Sequence, residues 1–204
     1  MKKKIDFNKV LPVIIILVVL GLLFFSMADN FKNTGEEIDI SKEDKMADDS
    51  TNTKVKLETN HGDIVIELYS DMPITAGNFE NLVKSKTYDG VIFHRIIPNF
   101  MIQGGDPTGT GRGDPNIPKI QDEFTHEGGN KNNRATISMA NAGPNTGSSQ
   151  FFINLVNNNF LDGKHPTFGE VVEGMDVVDK IAAVQTAAGD RPVEEVKIIK
   201  ATIV

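Results

Sequence analysis

Short segments in which apolar and polar residues alternate run through the chain from residue 54 to its end. The alternation in 54–58 and 64–68 lies on either side of the turn Asn60-His61-Gly62-Asp63, which predicts a β-hairpin. Further segments with the composition and length of strands follow, separated by turns rich in glycine and asparagine, at 91–97, 100–103, 136–139, 151–155, 168–171 and 197–204.

Only two segments in this part of the chain have apolar residues at helical spacing. One begins at Pro73, with Ile74, Phe79, Leu82 and Val83 on one side, and the other covers 175–183. Many short strands with only two helices predict a mainly-β fold, an antiparallel closed barrel capped by two α-helices.

The first 28 residues have a different character. Four lysines precede an apolar run that extends from residue 10 to Ala28, 19 residues in all. As a helix this run would be about 28 Å long, close to the hydrocarbon thickness of a bilayer. It has no polar face, which argues against a buried core helix. The segment 1–28 is therefore predicted to be a hydrophobic N-terminal helix, either a transmembrane anchor or a signal peptide cleaved after the small-x-small sequence Ser26-Met27-Ala28.

The flanking lysines predict the orientation of that segment. Lysines next to an apolar span remain in the cytoplasm, so the expected localisation is the cell membrane, single-pass, with the rest of the chain outside the cytoplasm, or secreted if cleavage occurs. Residues 29–53 contain eight acidic residues and three lysines, which predicts a disordered acidic linker rather than an acidic interaction motif. Residues 54–204 are predicted to form one domain.

The composition makes several functions improbable. The net charge of -7 and the absence of a basic stripe argue against nucleic-acid binding. The chain has no cysteine, and its four histidines lack the spacing of metal ligands. Neither HExxH nor GxSxG occurs. Hydrolase and metalloenzyme chemistry is thus weakly supported, and neither a metal nor a cofactor is expected.

The alternation of side chains along a strand separates neighbouring candidates. In FHRII it places Phe93, Arg95 and Ile97 on one face and His94 on the other. By position alone, Arg95 fits a snorkelling or ion-paired surface residue better than a functional one. In SQFFI the same alternation places Gln150 and Phe152 on one face and Phe151 on the opposite face, so that one phenylalanine can serve the core while the other lines a surface.

Three long blocks together carry a family resemblance: FHRIIPNFMIQGGD at 93–106, ISMANAGPNTGSSQFFI at 137–153 and FLDGKHPTFGEV at 160–171. In order and separation they resemble the signature blocks of the cyclophilin-type peptidyl-prolyl cis-trans isomerases. The resemblance covers nearly all of residues 54–204 and implies an eight-stranded antiparallel barrel closed by two helices.

The resemblance also implies the site. It makes Arg95 the catalytic residue and implies a substrate groove formed by Phe100, Met101, Gln103, Gly109, Ala140, Asn141, Ala142, Gln150, Phe152, Phe160, Leu161 and His165. Phe160 stands where many members have tryptophan, whose indole N–H donates to cyclosporin. A phenylalanine lacks that donor, so weakened affinity for cyclosporin-type inhibitors is expected.

The implied function is cis-trans isomerisation of X-Pro peptide bonds, with proline-containing polypeptides, unfolded or exported, as the partners. The location outside the membrane suggests assistance to the folding of exported proteins. One alternative is a non-catalytic proline-peptide binding module or chaperone, which the presence of Arg95 disfavours. A second alternative, a purely structural envelope protein, does not need the groove.

Overall fold

The computed structural model describes residues 52–204. The predicted N-terminal helix, 1–28, and most of the predicted linker, 29–53, lie outside these residues. Asn52 and Thr53 are described, and both contact the second strand: the Asn52 side chain donates to Glu67 at 3.0 Å, and the Thr53 carbonyl accepts from Leu68 N at 2.8 Å. Within the described part of the chain, no helix is both long and apolar enough to cross a membrane.

The described residues contain eight strands and two α-helices. The helices are α1 (Thr75–Lys84) and α2 (Met175–Ala182), and a short 3-10 helix covers Asn159–Leu161. The strands are β1 (Lys54–Thr59), β2 (Gly62–Leu68), β3 (Arg95–Ile97), β4 (Met101–Gly104), β5 (Thr136–Met139), β6 (Phe151–Asn154), β7 (Thr167–Glu173) and β8 (Ile198–Ile203). The mainly-β prediction with eight strands and two helices is confirmed.

All eight strands belong to one antiparallel sheet in the order β3-β4-β6-β5-β7-β2-β1-β8. The prediction of a closed barrel is wrong, because no ladder joins the end strands β3 and β8 within residues 52–204. The segment before β3 reaches the start of β8, where Gly90 N donates to the Ile198 carbonyl and Ile198 N donates to the Val91 carbonyl, both at 2.8 Å. An isolated bridge next to them pairs Ile92 with Lys197. In β3 itself, Ile96 N donates to the carbonyl of Asp190 at 2.8 Å. The turn that contains Asp190 thus binds β3 on the side where no ladder to β8 forms in the described residues.

The core is built around buried aromatic rings. Phe79 of α1 contacts the rings of Tyr88, Phe151 and Phe168 at centroid distances of 5.0 to 5.4 Å. Phe151 also meets Phe93 edge-on at 6.0 Å. All five side chains are fully buried. This cluster fixes β6 from its inner side, and Phe152 points to the opposite side of the strand.

A carboxylate that is distant in sequence binds the first N–H groups of helix α1. Glu123, only 6% exposed, accepts hydrogen bonds from Ile74 N at 3.0 Å and Thr75 N at 2.8 Å. The first N–H groups of a helix have no partner inside the helix, and a negative charge at that end is favourable. Glu123 therefore fixes the loop that precedes β5 against α1.

Candidate active site

A cavity of about 240 Å³ lies beside strands β3, β4 and β6. Nine of the 13 residues implied by the family resemblance line it, and no other described residue does: Arg95, Phe100, Met101, Gln103, Ala140, Asn141, Phe152, Leu161 and His165. Strand register explains the grouping, because Arg95 is opposite Gln103 and Gln103 is opposite Phe152. Side chains directly opposite each other on neighbouring strands share a face of the sheet.

The floor of this cavity is apolar. Met101 and Phe152 are 2% and 5% exposed, and Phe100 and Leu161 complete the wall. Burying an apolar side chain of ordinary size in such a place is worth about 1.5 to 3 kcal/mol. The cavity thus has the size and chemistry to hold a small apolar ring.

Arg95 supplies the positive charge at this cavity. Its side chain is 42% exposed, and its Nε donates to Asp190 Oδ2 at 3.3 Å. This is the only hydrogen bond of the Arg95 side chain to another described residue. Arg95 is therefore both ion-paired, as its position alone suggested, and part of the cavity wall. No sequence pattern pointed to Asp190, which lies 95 positions further along the chain.

His165 lies against the ring of Phe152, edge-on at 5.5 Å. Its Nδ1 is 3.1 Å from the carbonyl oxygen of Met139. A carbonyl can only accept, so Nδ1 carries a proton, and a neutral ring then has Nε2 as an acceptor. The interaction holds the imidazole in a fixed orientation beside the apolar floor.

Asn141 uses its side chain for structure and leaves its backbone free. Its Nδ2 donates to the Lys164 carbonyl at 2.8 Å, and its Oδ1 accepts from Gly143 N at 3.3 Å. Within residues 52–204, neither the N–H nor the carbonyl of Asn141 has a hydrogen-bond partner. An extended peptide in the cavity can therefore pair with this backbone.

A second, larger cavity of about 660 Å³ adjoins the first and shares Gln103, Ala140 and Asn141 with it. The predicted residues Ala142 and Gln150 line this second cavity. Gln103 Nε2 donates to Gln150 Oε1 at 3.0 Å, so the two glutamines link the cavities.

Two predicted residues lie outside both cavities. Phe160 is 64% exposed and stacks on Phe100 at 5.9 Å, which makes it a rim residue. Gly109 lines a separate hollow, and its carbonyl accepts from Arg191 at 2.9 Å. The structure thus does not place Gly109 in the groove. Its loop is held instead by buried Asp106, whose carboxylate accepts from the N–H groups of residues 108, 111 and 113. Two glycines of this loop that the resemblance did not assign, Gly111 and Gly113, line the second cavity.

The predicted faces of FHRII need one correction. Phe93 is fully buried in the core rather than on the face of Arg95. Regular alternation does not apply to it because β3 begins only at Arg95. His94 is 7% exposed, and its Nδ1 has no partner among the described residues. Burial lowers the pKa of His94, Asp106 opposes that effect, and Arg191 and Arg95 add to it.

We expect His94 to weaken the fold in mild acid. An unfolded histidine has a pKa of about 6.5, and His94 has a lower pKa in the folded state. The unfolded chain therefore binds more protons between these two values, and stability that is complete above the unfolded pKa is lost as the pH falls toward the folded pKa. Urea unfolding of wild type and His94→Gln at about pH 7 and pH 5 measures this effect. The variant should lose less stability over this interval, and an equal loss in both proteins would contradict the assignment.

Comparison with known proteins gives a consistent result. The profile of the family described as "Cyclophilin type peptidyl-prolyl cis-trans isomerase/CLD" matches residues 54–203. "Peptidyl-prolyl cis-trans isomerase-like 1" of Gibberella zeae is 53% identical over 156 residues, which covers 74% of this chain and 95% of that protein. "Peptidyl-prolyl cis-trans isomerase ppi1" of Schizosaccharomyces pombe is 53% identical over 150 residues, with 72% and 96% covered.

Comparison with solved structures points to the same family. The crystal structure of a cyclophilin-type isomerase of Cryptosporidium parvum superimposes with a TM-score of 0.70 at 35% identity, and covers 75% of this chain and 98% of that one. A crystal structure of the same protein in the presence of the dipeptide Ala-Pro gives a TM-score of 0.69 at 36% identity, with 74% and 98% covered. This chain therefore belongs to the cyclophilin-type peptidyl-prolyl cis-trans isomerases and is an enzyme with that activity.

Proposed function

We propose that the cavity of about 240 Å³ beside Arg95 is the place where this isomerase binds the proline of a polypeptide and rotates the preceding peptide bond. The observation that carries this proposal is the position of a guanidinium at the wall of a small cavity with an apolar floor. The floor formed by Phe100, Met101, Phe152 and Leu161 suits a proline ring, and the charge suits the amide nitrogen next to it.

The reaction needs no covalent step. A peptide bond resists rotation with a barrier of about 18 to 20 kcal/mol because twisting the C–N bond destroys its resonance. An acceleration of about four decades requires roughly 5.5 kcal/mol of preferential binding to the twisted state. In that state the prolyl nitrogen becomes pyramidal and regains a lone pair. The Arg95 guanidinium donates a charge-assisted hydrogen bond to it.

Other residues hold the substrate while the bond rotates. The free N–H and carbonyl of Asn141 pair with the substrate backbone on one side of the proline. Gln103 has its NH₂ group bonded to Gln150, which leaves its Oε1 without a hydrogen-bond partner among the described residues and available to a substrate donor. His165 shapes the floor and offers Nε2 to a substrate donor. The reaction requires no proton transfer, so His165 has no acid or base role in it.

Peptide titration followed by NMR tests this location. A short peptide with an Ala-Pro bond should shift the resonances of residues lining the cavity, above all Asn141, Phe152 and His165. A matched peptide with alanine in place of proline is the control and should shift them much less. The proposed site is wrong if the Ala-Pro peptide shifts residues elsewhere and leaves these three unchanged.

The expected weak affinity for cyclosporin-type inhibitors depends on the exposed ring of Phe160, which stacks on Phe100 but has no N–H to donate. Cyclosporin should therefore bind the wild type more weakly than the Phe160→Trp variant, in which that donor is restored. Equal affinity of the two proteins in a calorimetric titration would refute this proposal.

We further propose that the clients are exported proteins and that the enzyme works at the outer side of the cell membrane. The support is the apolar run of residues 10–28 behind four lysines. N-terminal sequencing of the protein isolated from its native membrane fraction tests this. Met1 in that fraction indicates a retained anchor, whereas protein that begins at Asp29 in the extracellular fraction indicates cleavage and release. An intact chain found only in the soluble cytoplasmic fraction would disprove export.

A further inference from the structure

Asp190 lies in a tight turn that follows α2. Ala187 N donates to the Arg191 carbonyl at 2.7 Å, and Asp190 N donates to the Ala187 carbonyl at 3.1 Å. Asp190 itself has a φ of 61°, a left-handed conformation that asparagine, aspartate and glycine adopt more easily than other residues. The 187–191 turn is thus a compact unit with a defined geometry at Asp190.

The 187–191 turn is attached on two sides. The Asp190 carbonyl accepts from Ile96 N of β3 at 2.8 Å. On the other side, Arg191 Nη1 donates to the carbonyl of Gly109 in the loop after β4 at 2.9 Å. These contacts fix the backbone of Asp190 relative to β3, the strand that carries Arg95.

The carboxylate of Asp190 then accepts from Arg95 Nε at 3.3 Å. A guanidinium has five N–H groups, so four remain on the two terminal nitrogens. Gln103, which faces Arg95 across the β3–β4 ladder, donates its amide to Gln150 instead. Among residues 52–204, Asp190 is thus the only side chain that holds the guanidinium.

We propose that Asp190 is a positioning residue for catalysis, which fixes the guanidinium of Arg95 by its Nε and leaves its terminal nitrogens directed to the substrate. An arginine side chain that is 42% exposed loses rotamer freedom only where a partner holds it. Preorganised donors accelerate a reaction because they need no reorientation as charge develops. This inference rests on the proposed catalytic role of Arg95.

Two substitutions distinguish the role of the Asp190 carboxylate from that of the Asp190 backbone. Asp190→Gly removes the side chain at a position where the backbone suits glycine, and Asp190→Asn keeps an oxygen acceptor without the charge. We expect Asp190→Gly to lower kcat about five- to ten-fold, with KM changed less than about two-fold, because the contact acts on the twisted state. Asp190→Asn should restore most of kcat, to within about two- to three-fold of wild type.

The pairing is tested directly by a double-mutant cycle. Lysine at position 95 has no Nε–H of the arginine type. In the Arg95→Lys background, Asp190→Gly should therefore lower kcat by less than about two-fold. An equal loss in both backgrounds would show that Asp190 acts through the fold. No loss in the wild-type background would overturn the inference altogether.

The Nε–H resonance of Arg95 supplies a readout that does not depend on activity. It is assigned as the side-chain cross-peak missing from Arg95→Lys, and in wild type it should exchange slowly with water. In Asp190→Gly it should shift and exchange faster. If the peak behaves in this way but Asp190→Gly retains full kcat, Asp190 binds Arg95 without catalytic effect and the inference fails. If Arg95→Ala itself retains activity, the proposed function of the site fails instead.

Discussion

Replacing Arg95 with alanine is expected to lower kcat/KM by about two to three orders of magnitude, the usual cost of removing one preorganised donor to a developing charge. The lone pair on the twisted prolyl nitrogen then has no cationic partner. The fold should survive, because the only hydrogen bond of the Arg95 side chain within the described residues joins two half-exposed groups. Such a surface ion pair is worth at most about 1 kcal/mol. A protease-coupled assay gives the rate, and circular dichroism confirms folding.

Arg134 provides the matched control for this variant. It is 45% exposed and ion-paired with Asp179 at 2.8 Å, but it lies outside both cavities. Arg134→Ala should keep nearly normal kcat/KM even if it loses some stability. Near-normal activity of folded Arg95→Ala would remove the chemical basis of the mechanism. Arg95→Lys should be intermediate, because it keeps the charge but not the planar fork.

Replacing Phe151 with alanine is expected to have the largest effect on stability. Its fully buried ring contacts Phe79, Tyr88 and Phe93 edge-on at centroid distances of 5.4 to 6.0 Å. Truncating a buried phenylalanine costs about 3 to 5 kcal/mol, because contacts are lost and a cavity remains. A domain of this size has a total free energy of unfolding of about 5 to 15 kcal/mol. Denaturant unfolding should therefore show a large fall in the midpoint.

The neighbouring residue is the control. Phe152 lines the cavity, and its only aromatic partner in the described structure is His165. Phe152→Ala should lose less stability than Phe151→Ala but much of its kcat/KM, because the floor for the proline ring is incomplete. An equal destabilisation by both substitutions, with activity unaffected by the second, would show that the two rings do not have separate roles.

The different positions of these two rings follow from sequence alone. Strand alternation places Phe151 and Phe152 on opposite faces, and the structure has one in the core and the other in the cavity. The same rule fails at Phe93 because the chain is not yet a strand there. Alternation is thus informative only inside a strand, and its boundaries depend on hydrogen bonds that sequence periodicity does not reveal.

Other features depend on contacts between distant parts of the chain. At the open edge of the sheet, β3 binds the turn at Asp190 rather than another strand. The loop that carries Gly109, which Asp106 holds locally, is also bound by Arg191, 82 residues away. The N-terminus of α1 depends on Glu123 rather than on a neighbouring cap residue. No local pattern predicts such pairs, whereas the groove residues were identified because they lie in three continuous blocks.

The central claim is that the cavity beside Arg95 catalyses rotation and does not merely bind proline. NMR exchange spectroscopy on an Ala-Pro peptide with a small amount of the full chain tests it most directly, because cis and trans signals report both binding and interconversion. The uncatalysed exchange takes tens of seconds or longer. We predict exchange on the millisecond scale with wild type and a return toward the uncatalysed rate with Arg95→Ala. Peptide binding to the wild type with no acceleration of exchange would contradict the claim and identify the groove as a binding module.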